Sequence, residues 1–224
     1  ACPAAPADSD LVPGVYEGGL KVWEASIDLV EYLAAELSVI CGIDEEARGG
    51  NSSTGAGGDT TVVLGCGHGF PGIMALRQGM HVCFSDFNRE VIEQVTVPNV
   101  RLNVQQEYWN MAEYYCGDWG SLSPLLDERD GGGQFDLILT AETLYTIAVA
   151  EKVLQMILHH LSSRGQALVA SKRFYFGTGG STQHFRTLAA ADRRLLCSDV
   201  SVVDTGKGNI REVLKVSWRE GHQP

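Results

Sequence analysis

The run Leu64-Gly65-Cys66-Gly67-His68-Gly69-Phe70-Pro71-Gly72 is the part of the chain best equipped for chemistry. Its glycines let the backbone turn sharply and approach a ligand with no Cβ in the way. The β-branched stretch Thr61 to Leu64 precedes it and the apolar stretch Phe70 to Gln78 follows it. The loop therefore joins a strand to a helix N-terminus, whose free N–H groups favour a carboxylate or phosphate. Asp86, followed by Phe87 and Asn88, ends the next apolar run, near the offset of roughly 20 residues expected of a ribose-binding carboxylate. Gly117-Asp118-Trp119 ends a third. At a strand's carboxyl end an acid can accept from an adenine amino group and an indole can cover a base face. Together these residues point to an adenosine-bearing cofactor. Nicotinamide dinucleotide and S-adenosylmethionine both satisfy the glycine loop, and Asp118 with Trp119 favours the latter. A tight turn with a surface aspartate is the plainer alternative. His68 has no visible ligand partner, which favours a structural role.

These groups need elements to hold them. From Val22 to Ile40, apolar residues recur at steps of three and four, predicting an amphipathic helix. Gly42 to Asp59 is almost devoid of apolar side chains and reads as a mobile surface insertion. Strands are then expected at 61–64, 81–85, 114–116, 135–140, 165–171, 195–203 and 210–218. Helices are expected at 70–78, 88–97, 149–161 and 181–192, with Asn88 as a cap and Pro98-Asn99 as a break. Alternation of strand and helix implies a parallel sheet covered on both faces. The last two strands have no helix between them and should form an antiparallel hairpin. The expected fold is thus α/β, a Rossmann-like seven-strand sheet, mostly parallel with a C-terminal antiparallel hairpin. Residues 1–18 read as a flexible tail and 19–224 as one domain carrying the insertion at about 42–59.

The chain has 224 residues, 44% of them apolar, and a formal net charge of -11. That size suffices for a sizeable core, and that charge argues against direct binding of nucleic acid. A small molecule or a basic protein suits the field. The six cysteines, Cys2, Cys41, Cys66, Cys83, Cys116 and Cys197, form no C-x-x-C pair and no zinc spacing. No metal site is expected, and a cytoplasmic or nuclear location fits best. No run approaches the roughly 20 apolar residues of a membrane helix.

Further motifs sharpen the reading. Gly19-Leu20-Lys21-Val22-Trp23-Glu24, Leu64-Gly65-Cys66-Gly67, Asp86-Phe87-Asn88, Val95-Thr96-Val97-Pro98-Asn99-Val100, the segment Asp136 to Tyr145, and Ala170 to Gly180 with its Tyr-Phe-Gly-x-Gly-Gly run all stand in this chain. On them the chain resembles the histidine protein methyltransferase 1 family, within the seven-strand S-adenosylmethionine-dependent protein methyltransferases. The resemblance implies methyl transfer to a protein histidine, the substrate type being a basic large-subunit ribosomal protein. It implies a cofactor site formed by Trp23, Glu24, Gly65, Gly67, Asp86, Phe87, Asn88, Gly117, Asp118, Trp119 and Ala141. The family usually carries an acid two residues before the first loop glycine, where this chain has Val63.

For that reaction a protein must chiefly align a nucleophile with an electrophilic methyl group. Neutral imidazole, with a reference pKa of about 6.5, needs no strong base. A group holding the opposite ring N–H would fix the tautomer. Glu142 and Tyr145, a Glu-x-x-Tyr element at the fourth strand's end, are the catalytic candidates: Glu142 to orient the ring, Tyr145 to shape the pocket. Lys172 and the loop Gly177 to Gly180 are expected to border the substrate groove. A monomer is expected. The rival readings are a lysine methyltransferase of the same wider group, a nicotinamide-dependent oxidoreductase, and a non-catalytic binding module.

Overall fold

The computed structural model describes residues 11–12, 14–40, 59–129, 132–206 and 208–221, with no account of the side chains of 37–40. The expected insertion falls at 42–59 and, apart from Asp59, lies outside the described residues.

Seven strands, β1 (Thr60–Leu64), β2 (His81–Asp86), β3 (Ala112–Cys116), β4 (Phe135–Ala141), β5 (Leu161–Lys172), β6 (Leu195–Val203) and β7 (Arg211–Trp218), form one sheet in the order β3-β2-β1-β4-β5-β7-β6. The first five are parallel. β7 runs antiparallel to both β5 and β6. This is a Rossmann-like α/β sheet, mostly parallel, that ends in a reversed terminal hairpin. The helices are α1 (Glu24–Ile40), α2 (Phe70–Arg77), α3 (Arg89–Val91), α4 (Val97–Asn103), α5 (Trp119–Asp127), α6 (Ile147–His160) and α7 (Thr182–Ala191).

Two cores follow from the period-two alternation of side chains in the central strands. Val62, Leu64 and Ile138 point to one face, where α5, α6 and α7 supply Leu122, Ile157 and Phe185. Val63, Leu137 and Leu139 point to the other, where α1 and α2 supply Leu29, Leu33 and Leu76. Both faces of β1 and β4 are covered, which is why Val62–Leu64 and Leu137–Leu139 read as short unbroken apolar runs. Val63, two residues before the first loop glycine, is buried in the second core. A Cβ on Gly72 would sit 2.8 Å from its methyl group.

Three expectations are revised. Pro98 does not end the helix after β2. A π-helical turn, Ile92–Thr96, is inserted there and α4 continues through Pro98 in its first turn. Proline lacks an N–H, a loss that is harmless where a helical segment restarts. α5 has no counterpart among the expected helices. It is nucleated by Asp118, whose side chain accepts from the Gly120 N–H, and it carries Pro124 inside. Of the residues read as tail, Tyr16 and Gly18 are buried: Tyr16 is 4% exposed, and its hydroxyl accepts from the Leu20 N–H at 2.9 Å. Among the described residues no helix is long and apolar enough to cross a membrane.

Candidate active site

Because β1 to β4 are parallel, their carboxyl ends lie along one edge of the sheet. The strand order reverses between β1 and β4, and open α/β sheets bind ligands at such a point. A cavity of about 450 Å³ opens there, within the usual span of ligand sites. Each strand contributes residues at or just past its carboxyl end: Gly65 from β1, Asp86 and Phe87 from β2, Gly117, Asp118 and Trp119 from β3, Ala141, Glu142 and Thr143 from β4. Trp23, Gly67, Tyr145, Lys172 and Tyr175 also line the wall.

The glycine loop is built to be rigid. Gly65 and Gly67 have φ of 65° and 49°, in the left-handed region that suits glycine. The Gly67 N–H donates to Asp86 Oδ2 at 3.0 Å. From below, Thr96 Oγ1 donates to the Gly67 carbonyl at 2.7 Å and Asn99 Nδ2 to the His68 carbonyl at 3.0 Å. The Val95–Asn99 run therefore braces the loop, and the π-helical turn is what aims Thr96 at it.

Asp86 is nearly buried, also accepting from the Asn88 N–H at 3.2 Å. Burial pushes its pKa up to about 6, against the pull of the backbone N–H groups of Gly67, Asn88 and Phe87, while nearby Glu17 adds to the rise. Asp118 is held below the usual carboxylate range by its bond from Lys152, aided by the Gly120 N–H. The site thus has one poorly hydrated acid on the loop side and one firmly ionised acid on the α5 side.

Asn88 and Glu24 do not line the cavity. Asn88 is fully buried and its amide is spent on the segment 14–22: Oδ1 accepts from the Glu17 N–H at 3.1 Å and Nδ2 donates to the Val15 carbonyl at 2.9 Å. That is why it makes no side-chain cap for α3. Glu24 is largely exposed, 3.8 Å from Arg211. The segment 14–22 crosses the cavity as a strap, with Trp23 Nε1 donating to the Gly18 carbonyl at 2.9 Å and Gly19 set against Val91 and Asp86. Asn88→Ala removes two buried hydrogen bonds and is expected to cost about 2–3 kcal/mol locally. Limited proteolysis should then cut within 14–22 at least tenfold faster than in the wild type; an unchanged rate would show that Asn88 does not hold the strap.

At the far wall, Glu142 adopts φ 57°, the one non-glycine residue in the left-handed region among those described. Its Oε1 accepts from the Ala25 N–H at 3.3 Å, and its Oε2 accepts from the Tyr175 hydroxyl and lies 3.7 Å from Lys172 Nζ. Lys172 also faces the rings of Trp23 and Tyr175, at 5.3 and 5.7 Å. Tyr145 donates to Glu17 of the strap. Burial, reinforced by these carboxylates, raises both tyrosines well above the ordinary phenol range, so both are neutral donors.

Glu17, Lys152 and Tyr175 were not among the residues singled out from sequence. Tyr175 stood in a recognisable run, but Glu17 and Lys152 stand in no pattern and are found only through their partners. His68 is a tilted neighbour of Phe70, and burial lowers its pKa. Outside the cavity, Asp127, His159 and His160 cluster within 4.8 Å. The buried His160 ring already bonds the Gly133 carbonyl and Ser123 at 2.6 and 2.7 Å.

A parallel sheet closed by a reversed strand, with a glycine loop and two strand-end acids around one cavity, defines a methyltransferase-fold protein with an adenosine-type cleft. A family profile described as lysine methyltransferase matches residues 14–189. The histidine protein methyltransferase 1 homolog of Dictyostelium discoideum is 40% identical over 209 residues, covering 93% of this chain and 60% of that protein. The homolog of Bos taurus is 33% identical over 222 residues, covering 88% and 55%. The chain belongs to the histidine protein methyltransferase 1 family. It spans 60% or less of the length of these two relatives. The fold is shared with magnesium protoporphyrin IX methyltransferase from Synechocystis PCC 6803, solved with bound SAH, at a TM-score of 0.58 and 13% identity over 87% of this chain and 82% of that one.

The cavity fits S-adenosylmethionine on its own geometry. It holds about 450 Å³ between the glycine loop and the two strand-end acids, and at Gly117, where a Cβ would meet nothing within 4 Å, a ligand can come close to the backbone.

Proposed function

We propose that this chain transfers a methyl group from S-adenosylmethionine to a ring nitrogen of a protein histidine. The observation that carries the reading is the pairing of Glu142 with both Tyr175 and Lys172 on the cavity wall. When bound, the cofactor supplies an electrophilic methyl group. Gly65, Gly67 and Asp86 would hold its ribose and methionine portions, Asp118 and Trp119 its adenine. A carboxylate offers about four lone-pair directions, so Glu142 can accept one more hydrogen bond. A histidine entering beside it donates one ring N–H to Glu142, leaving the other nitrogen's lone pair free to attack. Methylation makes the ring cationic, and the Glu142 charge stabilises that cation as it forms. The neutral hydroxyl of Tyr145, fixed by Glu17, keeps the pocket narrow.

Lys172 favours imidazole over an amine. A substrate lysine must lose a proton, at a cost of roughly 4–5 kcal/mol at pH 7, and would arrive as a cation beside Lys172. The family profile's description keeps lysine as the second reading. The proposed partner is a basic large-subunit ribosomal protein, attracted by the net charge of -11. The chain would act as a monomer in the cytoplasm or nucleus, without direct contact to nucleic acid. The test is incubation of the chain with methyl-tritiated cofactor and unmethylated large-subunit ribosomal proteins, followed by complete hydrolysis and amino-acid analysis. Label is expected in methylhistidine; label in methyllysine would transfer the assignment to the second reading.

A further inference from the structure

After β5 the chain makes a tight turn, 173–180, that is pinned on two sides. The Tyr175 N–H donates to the Gly180 carbonyl at 2.9 Å, and the Arg173 N–H to the Ile210 carbonyl at 2.8 Å. Asn209 Nδ2 donates to the Phe174 carbonyl. Gly179 bridges to Thr146, and a Cβ at Gly180 would fall far inside contact with the carbonyl of Leu144. The turn is thereby locked against the loop that carries Glu142 and Tyr145.

Within this turn the side chains divide. Tyr175 faces inward and holds Glu142, whereas Phe174 is half-exposed and Phe176 is 89% exposed. Phe176 and Thr178, both exposed, border the cavity from its solvent side. A large aromatic ring in water, on a turn that its own hydrogen bonds prevent from folding the ring away, is surface held ready for a partner. Only one partner must cross that place: the polypeptide on either side of a histidine whose ring has entered the cavity. At Gly177 and Gly179 a Cβ would meet nothing within 4 Å, so a main chain can approach the turn closely.

We propose that Phe176 is the specificity-determining residue that reads the polypeptide flanking the target histidine, taking an apolar or aromatic side chain next to it. This rests on the protein-histidine reading above. The probes are a histidine-centred peptide library, randomised at three positions on each side, and N-acetylhistidine methylamide, which has no flanking residues. The wild type is expected to enrich an apolar or aromatic residue at one flanking position. Phe176→Ala should lose that enrichment and raise KM for the preferred peptide at least tenfold. Its kcat, its rate with the minimal acceptor and its affinity for S-adenosylhomocysteine should stay within twofold, and Phe176→Trp should restore the peptide KM. Unchanged enrichment and KM in Phe176→Ala would overturn the proposal, as would an equal loss with the minimal acceptor or a weakened cofactor affinity. Failure of the wider reading looks different: the wild type itself then methylates no histidine in either probe, and the inference falls with it.

Discussion

Glu142→Gln is expected to lower kcat for protein methylation about 100-fold, while the dissociation constant for S-adenosylhomocysteine stays within twofold. Such a fall corresponds to about 2.7 kcal/mol of lost transition-state stabilisation, within the range of a hydrogen bond to a charged group. Glutamine keeps the shape of the side chain and can still accept from the Ala25 N–H, so α1 and the cofactor wall stay in place. What it loses is the negative charge opposite the imidazolium as it forms. The left-handed backbone at this position costs roughly 1 kcal/mol or more for a non-glycine residue, and a strained residue at a strand end in a cavity is where a functional constraint shows. Glu142→Ala is a harsher change, because Tyr175 and Lys172 lose their shared partner and the melting temperature should fall as well. Steady-state kinetics and calorimetric titration of the glutamine variant together decide the matter. Normal turnover would leave Glu142 as a brace between α1 and β5.

Asp86→Asn should weaken S-adenosylhomocysteine binding about 30- to 100-fold, or roughly 2–3 kcal/mol. Asp86 faces the cavity and receives the Gly67 and Asn88 N–H groups at the same time, which an amide with one oxygen cannot do. The same carboxylate sets a pH dependence. Burial places its pKa at about 6, so it is ionised above that value and protonated below it. A protonated carboxyl is a poorer acceptor for ribose hydroxyl groups. Wild-type affinity should therefore be flat above pH 7 and fall about tenfold between pH 7 and pH 5. The asparagine variant should be uniformly weak over the same range. Equal pH dependence in both proteins would assign the titration to another group.

The sheet was legible because its central strands are buried on both faces and so appear as apolar runs between glycines. The cleft was legible for a related reason: parallel strands bring their carboxyl ends to one edge, so residues that end separate runs meet in space. Local cues failed where tertiary contacts overrode them. Pro98 reads as a stop, yet a π-helical turn absorbs it because Thr96 and Asn99 must reach the glycine loop. α5 contains Gly120, Ser121, Ser123 and Pro124, which hide a helix whose start is fixed by Asp118 and whose buried face rests on Leu122 and Leu126. The strap has no periodicity at all. It is ordered by the buried amide of Asn88, 71 residues from Glu17, and no local pattern carries a contact of that span. Asn88 precedes α3, where a cap and a cofactor contact were expected, but its side chain binds the strap and does not line the cavity.

On the proposed function, one cavity places the methyl donor beside Glu142 and opens toward the Phe176 turn. A crystal structure of the chain with S-adenosylhomocysteine tests it most directly. Ribose hydroxyls are expected on Asp86, adenine between Asp118 and Trp119, and the sulfur turned toward Glu142, Tyr145 and Lys172. A sulfur turned away from Glu142, or an adenine ring occupying the space beside Lys172, would contradict it.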